Sequence, residues 1–238
     1  MSKTVSKLAL TASLVLAMAF TFSCSGDDGG GKEVIVTISR TQVSYDASGA
    51  VSGNSTTGRT EYEYDSKGNQ IKRFEYDANG NGGLVLEYEY DSRGNLVKEI
   101  YFTNNGITGG TEYNCNSDGS FCTSNMYIHS TGEIIETGEV RYTTINSKRL
   151  LISQTRTSTS SNGNNYKTEY EWDSKGNITK MTGYVQQSDA NDYTLILDIK
   201  YENHEYDSRG NATRVSSYSG QTGGSYTETT YTYTYKTI

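Results

Sequence analysis

Two segments of this chain, Glu61 to Lys72 (EYEYDSKGNQIK) and Glu87 to Lys98 (EYEYDSRGNLVK), are near-copies of each other. A chain that repeats itself at short range builds its fold by reiterating one small unit. Further copies stand at Glu169 to Lys180 (EYEWDSKGNITK) and Asn203 to Arg214 (NHEYDSRGNATR), with partial ones at Asp46 and Asp77. In each copy, residues flanking the Asp-Ser-Lys/Arg-Gly-Asn core alternate with period two, which marks strand rather than helix. The core is a hairpin turn. Asp65, Asp91, Asp173 and Asp207 are expected to cap the turns with their carboxylates. Gly68, Gly94, Gly176 and Gly210 are expected to take positive φ where a type I turn ends in a bulge. These eight residues are read as structural. Valine at any of the four glycines, Gly94 for instance, is expected to cost about 1 kcal/mol or more in a denaturant melt, because a β-branched side chain resists that conformation.

Pairing the strands straight across the turn sets Asp65 opposite Asn69, Tyr64 opposite Gln70 and Tyr62 opposite Lys72. The same register sets Tyr88 against Lys98, Tyr170 against Lys180 and His204 against Arg214. The expectation is an inward face of Tyr62, Tyr64, Tyr88, Tyr90, Tyr170 and Trp172 with lysines snorkelling beside them, and a solvent face of Glu61, Glu63, Glu87, Glu89, Glu169 and Glu171. Neither face carries the aliphatic band of a lipid-facing strand. Between these turns lie others of a second kind, such as Asp77 to Gly83 and Asn104 to Gly110. With no helical pattern anywhere, the chain reads as an all-β, antiparallel up-and-down meander of roughly a dozen to fifteen strands, curling into a barrel or half-barrel.

The composition agrees with this. The chain has no proline, 21 tyrosines, 25 glycines and 33% hydrophobic residues, so tyrosine and the stems of polar side chains must supply much of the buried surface. The formal net charge is -7 and no basic stripe is visible, which excludes nucleic acid as a natural partner.

Residues 1–23 read as an export signal: Lys3 and Lys7 precede an apolar run from Leu8 to Phe22 too short for a confident membrane span. Cys24 stands where a lipoprotein signal would be cut, and residues 24–32 form a Gly/Asp-rich tether to one domain at 33–238. Ser25-Gly26-Asp27-Asp28-Gly29-Gly30-Gly31 resembles the acidic export signal of Bacteroidota lipoproteins, which implies the outer face of an outer membrane. The Tyr-Asp-x-x-Gly-Asn units resemble the YD repeats of rearrangement-hotspot and teneurin-type shells. Together with the cysteine they also resemble an uncharacterised Bacteroidota lipoprotein family with a porin-like β fold. That resemblance implies a curled or closed sheet and no defined catalytic residue.

Hydrolytic catalysis wants a held base, and the only imidazoles are His129, in a turn, and His204, at a repeat tyrosine position. No Cys/His spacing fits zinc, and the Asp-Ser-Lys-Gly-Asn loops lack the further carboxylates of a calcium loop. No cofactor is expected. Cys115 and Cys122 would pair directly across a two-residue Asp118-Gly119 turn. Reading the segment as a five-residue repeat turn would instead place them on opposite faces; an oxidising exported setting favours the first register and a disulfide. Three functions fit the sequence: a non-catalytic surface module for glycans or host proteins, a structural accessory subunit of an outer-membrane complex, and a hydrolase using a carboxylate pair.

Overall fold

The computed structural model describes residues 33–238 apart from 54, 147, 162, 189 and 220–224. The export signal, Cys24 and the tether lie outside the described residues. The strands are β1 (Glu33–Tyr45), β2 (Thr56–Tyr64), β3 (Gln70–Asp77), β4 (Gly82–Tyr90), β5 (Leu96–Thr103), β6 (Gly106–Cys115) and β7 (Phe121–Ile128), followed by β8 (Ile134–Ile145), β9 (Lys148–Ser158), β10 (Asn165–Trp172), β11 (Ile178–Gln186), β12 (Thr194–Tyr206), β13 (Ala212–Ser219) and β14 (Tyr226–Thr237). Each pairs antiparallel with its neighbours in sequence, and β14 closes on β1 over a register from Glu33 opposite Thr237 to Tyr45 opposite Tyr226. The molecule is therefore a closed meander barrel of fourteen strands with no free sheet edge.

The repeat turns follow from their local chemistry. Asp65 N donates to Asn69 O and Gly68 N to Asp65 O, while Asp65 Oδ1 accepts from the amides of Lys67 (2.9 Å) and Asn69 (2.8 Å). The same bonds recur at Asp91, Asp173 and Asp207. The four glycines have φ between 79° and 86°. The turn at Asp77, expected to be of the second kind, has this geometry too, with Asp77 N to Asn81 O and Gly80 N to Asp77 O. Its side chain satisfies the same amides, so the missing lysine is immaterial. At the third hairpin Cys115 lies opposite Cys122 and the two are disulfide-bonded. The hydrogen-bonded turn there centres on Ser117-Asp118, with Gly119 following at φ 70°, rather than on Asp118-Gly119.

The expected register holds for one residue and then fails. Tyr64 is opposite Gln70, but Glu63 is opposite Lys72 and Tyr62 opposite Arg73, because Ile71 is an extra residue in a β-bulge. Likewise Lys98 faces Glu89, Lys180 faces Glu171 and Arg214 faces Glu205, while His204 is left out of the pairing and bonds Ser216 Oγ at 2.8 Å. The tyrosine-cation pairs are thus replaced by carboxylate-cation pairs on the outside. Lys72 sits between Glu63 (3.6 Å) and Glu87 (3.9 Å), and Arg214 between Glu205 (3.4 Å) and Glu228 (2.8 Å). Such exposed pairs add little stability each, yet they make the outer wall charged and hydrophilic.

The tyrosines do point inward. What the bulge brings opposite them differs from copy to copy: Arg73 for Tyr62, Glu99 for Tyr88, Met181 for Tyr170 and Val215 for Asn203. The interior is consequently apolar along β10 to β14, where Ile178, Met181, Tyr201, Ala212 and Val215 are buried together, and mixed along β3 to β9, where Arg73, Thr111 and Ser124 are buried beside Leu86 and Val140. Near the turns, Tyr64 OH donates to Ile35 O (2.6 Å), Tyr90 OH to Gln70 O (2.8 Å) and Trp172 Nε1 to Leu151 O (2.8 Å). These three aromatics are thereby anchored to the strand before them, with their polar heads satisfied.

Both ends of the chain within the barrel, Glu33 and Thr237, lie at the same rim as the repeat turns. There the turns stack on one another. Asn177 Nδ2 reaches Gly210 O (3.1 Å), Lys148 Nζ reaches Lys175 O (3.2 Å) and Asn211 Oδ1 (3.3 Å), and Arg149 reaches Gly119 O (2.5 Å). The glycines permit this contact as well as the turn itself; a Cβ on Gly119 would lie 2.2 Å from Asn95 Oδ1.

Acid should dissolve this rim. The amide and side chain of Asn95 hold the Asp91 carboxyl down at about 2, and Asp65, Asp118 and Asp207 at the same rim are also depressed: the first because Asn69 and the Lys67 amide outweigh its burial, the second by Ser120, the third because Tyr235 and Asn211 outweigh its burial. A depressed carboxylate stabilises fully above its unfolded value near 4 and stops doing so as pH falls through its folded value. Urea midpoints are therefore expected to fall steeply between about pH 4 and pH 2. A fall that is complete before pH 4 would contradict the role given to these turns.

Candidate binding site

Two regions gather side chains that the packing of the repeat does not explain. The first is the mixed half of the interior. Glu99 projects inward from β5, and its Oε2 accepts from Tyr113 OH (2.9 Å) and Tyr101 OH (3.0 Å); Tyr101 OH also meets Thr111 Oγ1 at 2.7 Å. Burial raises the Glu99 pKa against the pull of both tyrosines and the nearby Arg73. Arg73, 5% exposed, bonds Glu75 at 2.6 Å, and Arg149 stacks on the Tyr142 ring at 3.7 Å. Burial also pushes Tyr62 and Tyr142 up to about 12, so their hydroxyls are protonated donors at neutral pH. The partners of Glu99 are tyrosines and an arginine. Among the described residues no three His, Cys, Asp or Glu side chains are placed to hold a metal ion.

The second region is the rim opposite the chain ends. Tyr45, Tyr76, Phe102, Tyr127, Tyr184 and Tyr218 stand near the last residues of β1, β3, β5, β7, β11 and β13, all on the outward side of the pleat by register. Tyr226 stacks between Tyr45 (ring centroids 4.7 Å apart) and Tyr218 (5.5 Å). Tyr127 lies against Gly110, whose missing side chain makes room for it. The large hydrophobic side chains that remain exposed belong to this rim as well: Val51 (63%), Ile107, Ile134, Tyr193, Leu195 (54%) and Ile196 (50%). Its connections carry no lysine or arginine, whereas the turns at the other end carry Lys67, Arg93, Lys175 and Arg209.

Of the residues singled out in the sequence, Asp65, Asp91, Asp173, Asp207 and their glycines all lie at the turn rim, brought together as a stacked ring and not around a cavity. His129 is an exposed connection residue at the opposite rim. Sequence reasoning missed Arg73 and Glu99, which the bulge turns inward, and missed the outward aromatics. The latter had a signal: Tyr76, Phe102, Tyr184 and Tyr218 each follow a repeat aromatic by the same interval.

Fold and site together define a closed fourteen-stranded antiparallel barrel with a half-polar tyrosine interior, a charged outer wall and one aromatic, apolar rim. No protein-family model matches the chain, and no curated protein matches it. Among solved structures it is similar to a porin-like protein from Bacteroides uniformis, at 12% identity and TM-score 0.44, over 84% of this chain and 96% of that one. It is also similar to TcdB2-TccC3 without its hypervariable C-terminal region (20% identity, TM-score 0.31) and to the Photorhabdus luminescens Tc holotoxin pore (19% identity, TM-score 0.31). Each of these two likenesses covers 79% of this chain and only 9% of the other. With TM-scores below 0.5, these likenesses carry nothing about activity. The YD-repeat and lipoprotein resemblances rest on the sequence motifs.

Proposed function

We propose that this protein is a surface-exposed, non-catalytic binding module, held on an outer membrane by lipid on Cys24 and presenting its aromatic rim outward to a glycan or protein ligand. The observation that carries this reading is the collection of exposed apolar side chains at the rim opposite Glu33 and Thr237. A tether joined at Glu33 leaves that rim facing away from the anchor. Exposed apolar side chains gathered at one place mark interaction surfaces. The cations beside the rim aromatics, Arg59, Lys98 and Lys167, are already paired with Glu61, Glu112 and Glu169, which argues against phosphate-bearing ligands.

Labelling on intact cells tests the reading. Cys115 and Cys122 are bonded to each other, so a new cysteine reports without background from them. Val51→Cys is expected to react with a membrane-impermeant maleimide before lysis, and Cys24→Ala to move the protein out of the membrane fraction. Labelling only after lysis would sink the surface placement.

A further inference from the structure

The outer wall of β1 to β3 holds an open groove of about 400 Å³ whose lining includes Val36, Thr37, Glu61, Glu63, Phe74 and Tyr76. Register explains it. Thr37, Glu61 and Phe74 stand in one row across the three strands, and Arg59 faces Tyr76 in the next row toward the aromatic rim. Phe74 and Tyr76 alternate outward along β3 and so stand about 7 Å apart.

The charges of the groove are already matched. Arg59 Nε holds Glu61 Oε1 at 2.9 Å while its guanidinium covers the Tyr76 ring at 4.7 Å, and Lys72 holds Glu63 at 3.6 Å. An ionic ligand would have to displace one of these partners. A neutral ligand rich in hydroxyls would not, because each pair still offers acceptor lone pairs and donor hydrogens. Phe74 stands beside those pairs half-buried, and among the described residues no cation covers its ring. The groove is open, so a ligand would lie along it rather than be enclosed. A protein strand has nowhere to add, since the closed barrel has no edge.

We propose that this groove is a subsite for a neutral oligosaccharide, with Phe74 as the platform under a sugar ring and the Arg59–Glu61 and Lys72–Glu63 pairs as hydroxyl partners. The proposal deepens the binding-module reading and rests on it. The barrel supplies its own control. Lys167, Glu169 and Tyr184 repeat the Arg59, Glu61 and Tyr76 set, with Lys167 2.7 Å from Glu169 and 5.5 Å from the Tyr184 ring, but Thr182 stands where Phe74 would be.

The test titrates the full chain with maltohexaose, cellohexaose, xylohexaose and mannohexaose, and with hexagalacturonate as an anionic counterpart, by saturation-transfer NMR. At least one neutral hexasaccharide is expected to bind in the micromolar to millimolar range and hexagalacturonate not to bind. Phe74→Ala should weaken binding at least tenfold, Phe74→Tyr should retain it, and Thr182→Ala should leave it unchanged. The Phe74→Tyr protein keeps the test valid should Phe74→Ala fail to fold. Binding of no neutral probe, binding of the anionic one alone, or equal affinity in Phe74→Ala and the parent would each overturn the groove assignment. Any of these with Val51→Cys still labelled on intact cells leaves surface presentation standing; loss of that labelling fails the broader reading instead.

Discussion

Alanine at Gly138 is expected to lower the stability of the barrel by roughly 3 kcal/mol, at the upper end of overpacking effects. Gly138 lies inside β8, opposite Ser124 on β7 and Arg156 on β9. A Cβ there would sit 2.1 Å from Thr155 O and 3.1 Å from Ser124 Oγ. The first contact is with backbone, so no rotamer change relieves it, and both flanking strands are paired. Gly82 is the instructive contrast. Its φ is 147° and a Cβ would lie 1.9 Å from Glu75 O, a worse contact on paper. It stands at the first residue of β4, however, where fraying of the hairpin end limits the penalty. Urea melts should rank Gly138→Ala above Gly82→Ala; a Gly138→Ala loss under about 0.5 kcal/mol would show that β8 and β9 do not approach so closely.

The second large effect is expected at Asn211, which is fully buried. Its Nδ2 donates to Tyr235 OH (2.7 Å) and Asp207 Oδ2 (3.2 Å), and its Oδ1 accepts from Lys148 Nζ (3.3 Å). Asn211→Ala removes all three and opens a void where the β12–β13 turn meets β14 and the tip of β9, for a loss of about 3 kcal/mol. Asn69 has the same place in the first repeat, but its side chain bonds only Asp65 within its own turn (2.9 Å). Asn69→Ala is expected to lose about 1 kcal/mol. Equal losses at the two positions, measured by equilibrium denaturation, would mean that stacking between turns contributes nothing.

That pair of asparagines shows where sequence reading stops. Both occupy the last position of an Asp-x-x-Gly-Asn turn, and the turn is legible because its bonds span at most four residues. Which asparagine is buried under a neighbouring hairpin depends on strands far apart in the chain. The same holds for the interior. The alternation of Tyr62 and Tyr64 with glutamates identifies the inward face correctly, since side-chain period in a strand is local. One extra residue, Ile71, then shifts the partner of Tyr62 from Lys72 to Arg73. Because a one-residue slip exchanges the faces, that bulge puts the recurring cations outside and the variable residues Arg73, Glu99, Met181 and Val215 inside. The candidate site suffered most: Phe74 and Glu99 carry no local mark of function, and their neighbours are set by register alone.

By itself, the sequence determined that this protein is a chain of antiparallel hairpins, where most of them turn, and which aspartates and glycines make those turns. All of that rests on hydrogen bonds and φ preferences within a few residues. Tertiary structure alone decided that the meander closes, by seating β1 against β14 from Tyr45 opposite Tyr226 to Glu33 opposite Thr237, and that the apolar and aromatic side chains collect at the rim away from the chain ends. Closure is a property of accumulated twist and shear over fourteen strands, and no single hairpin encodes it.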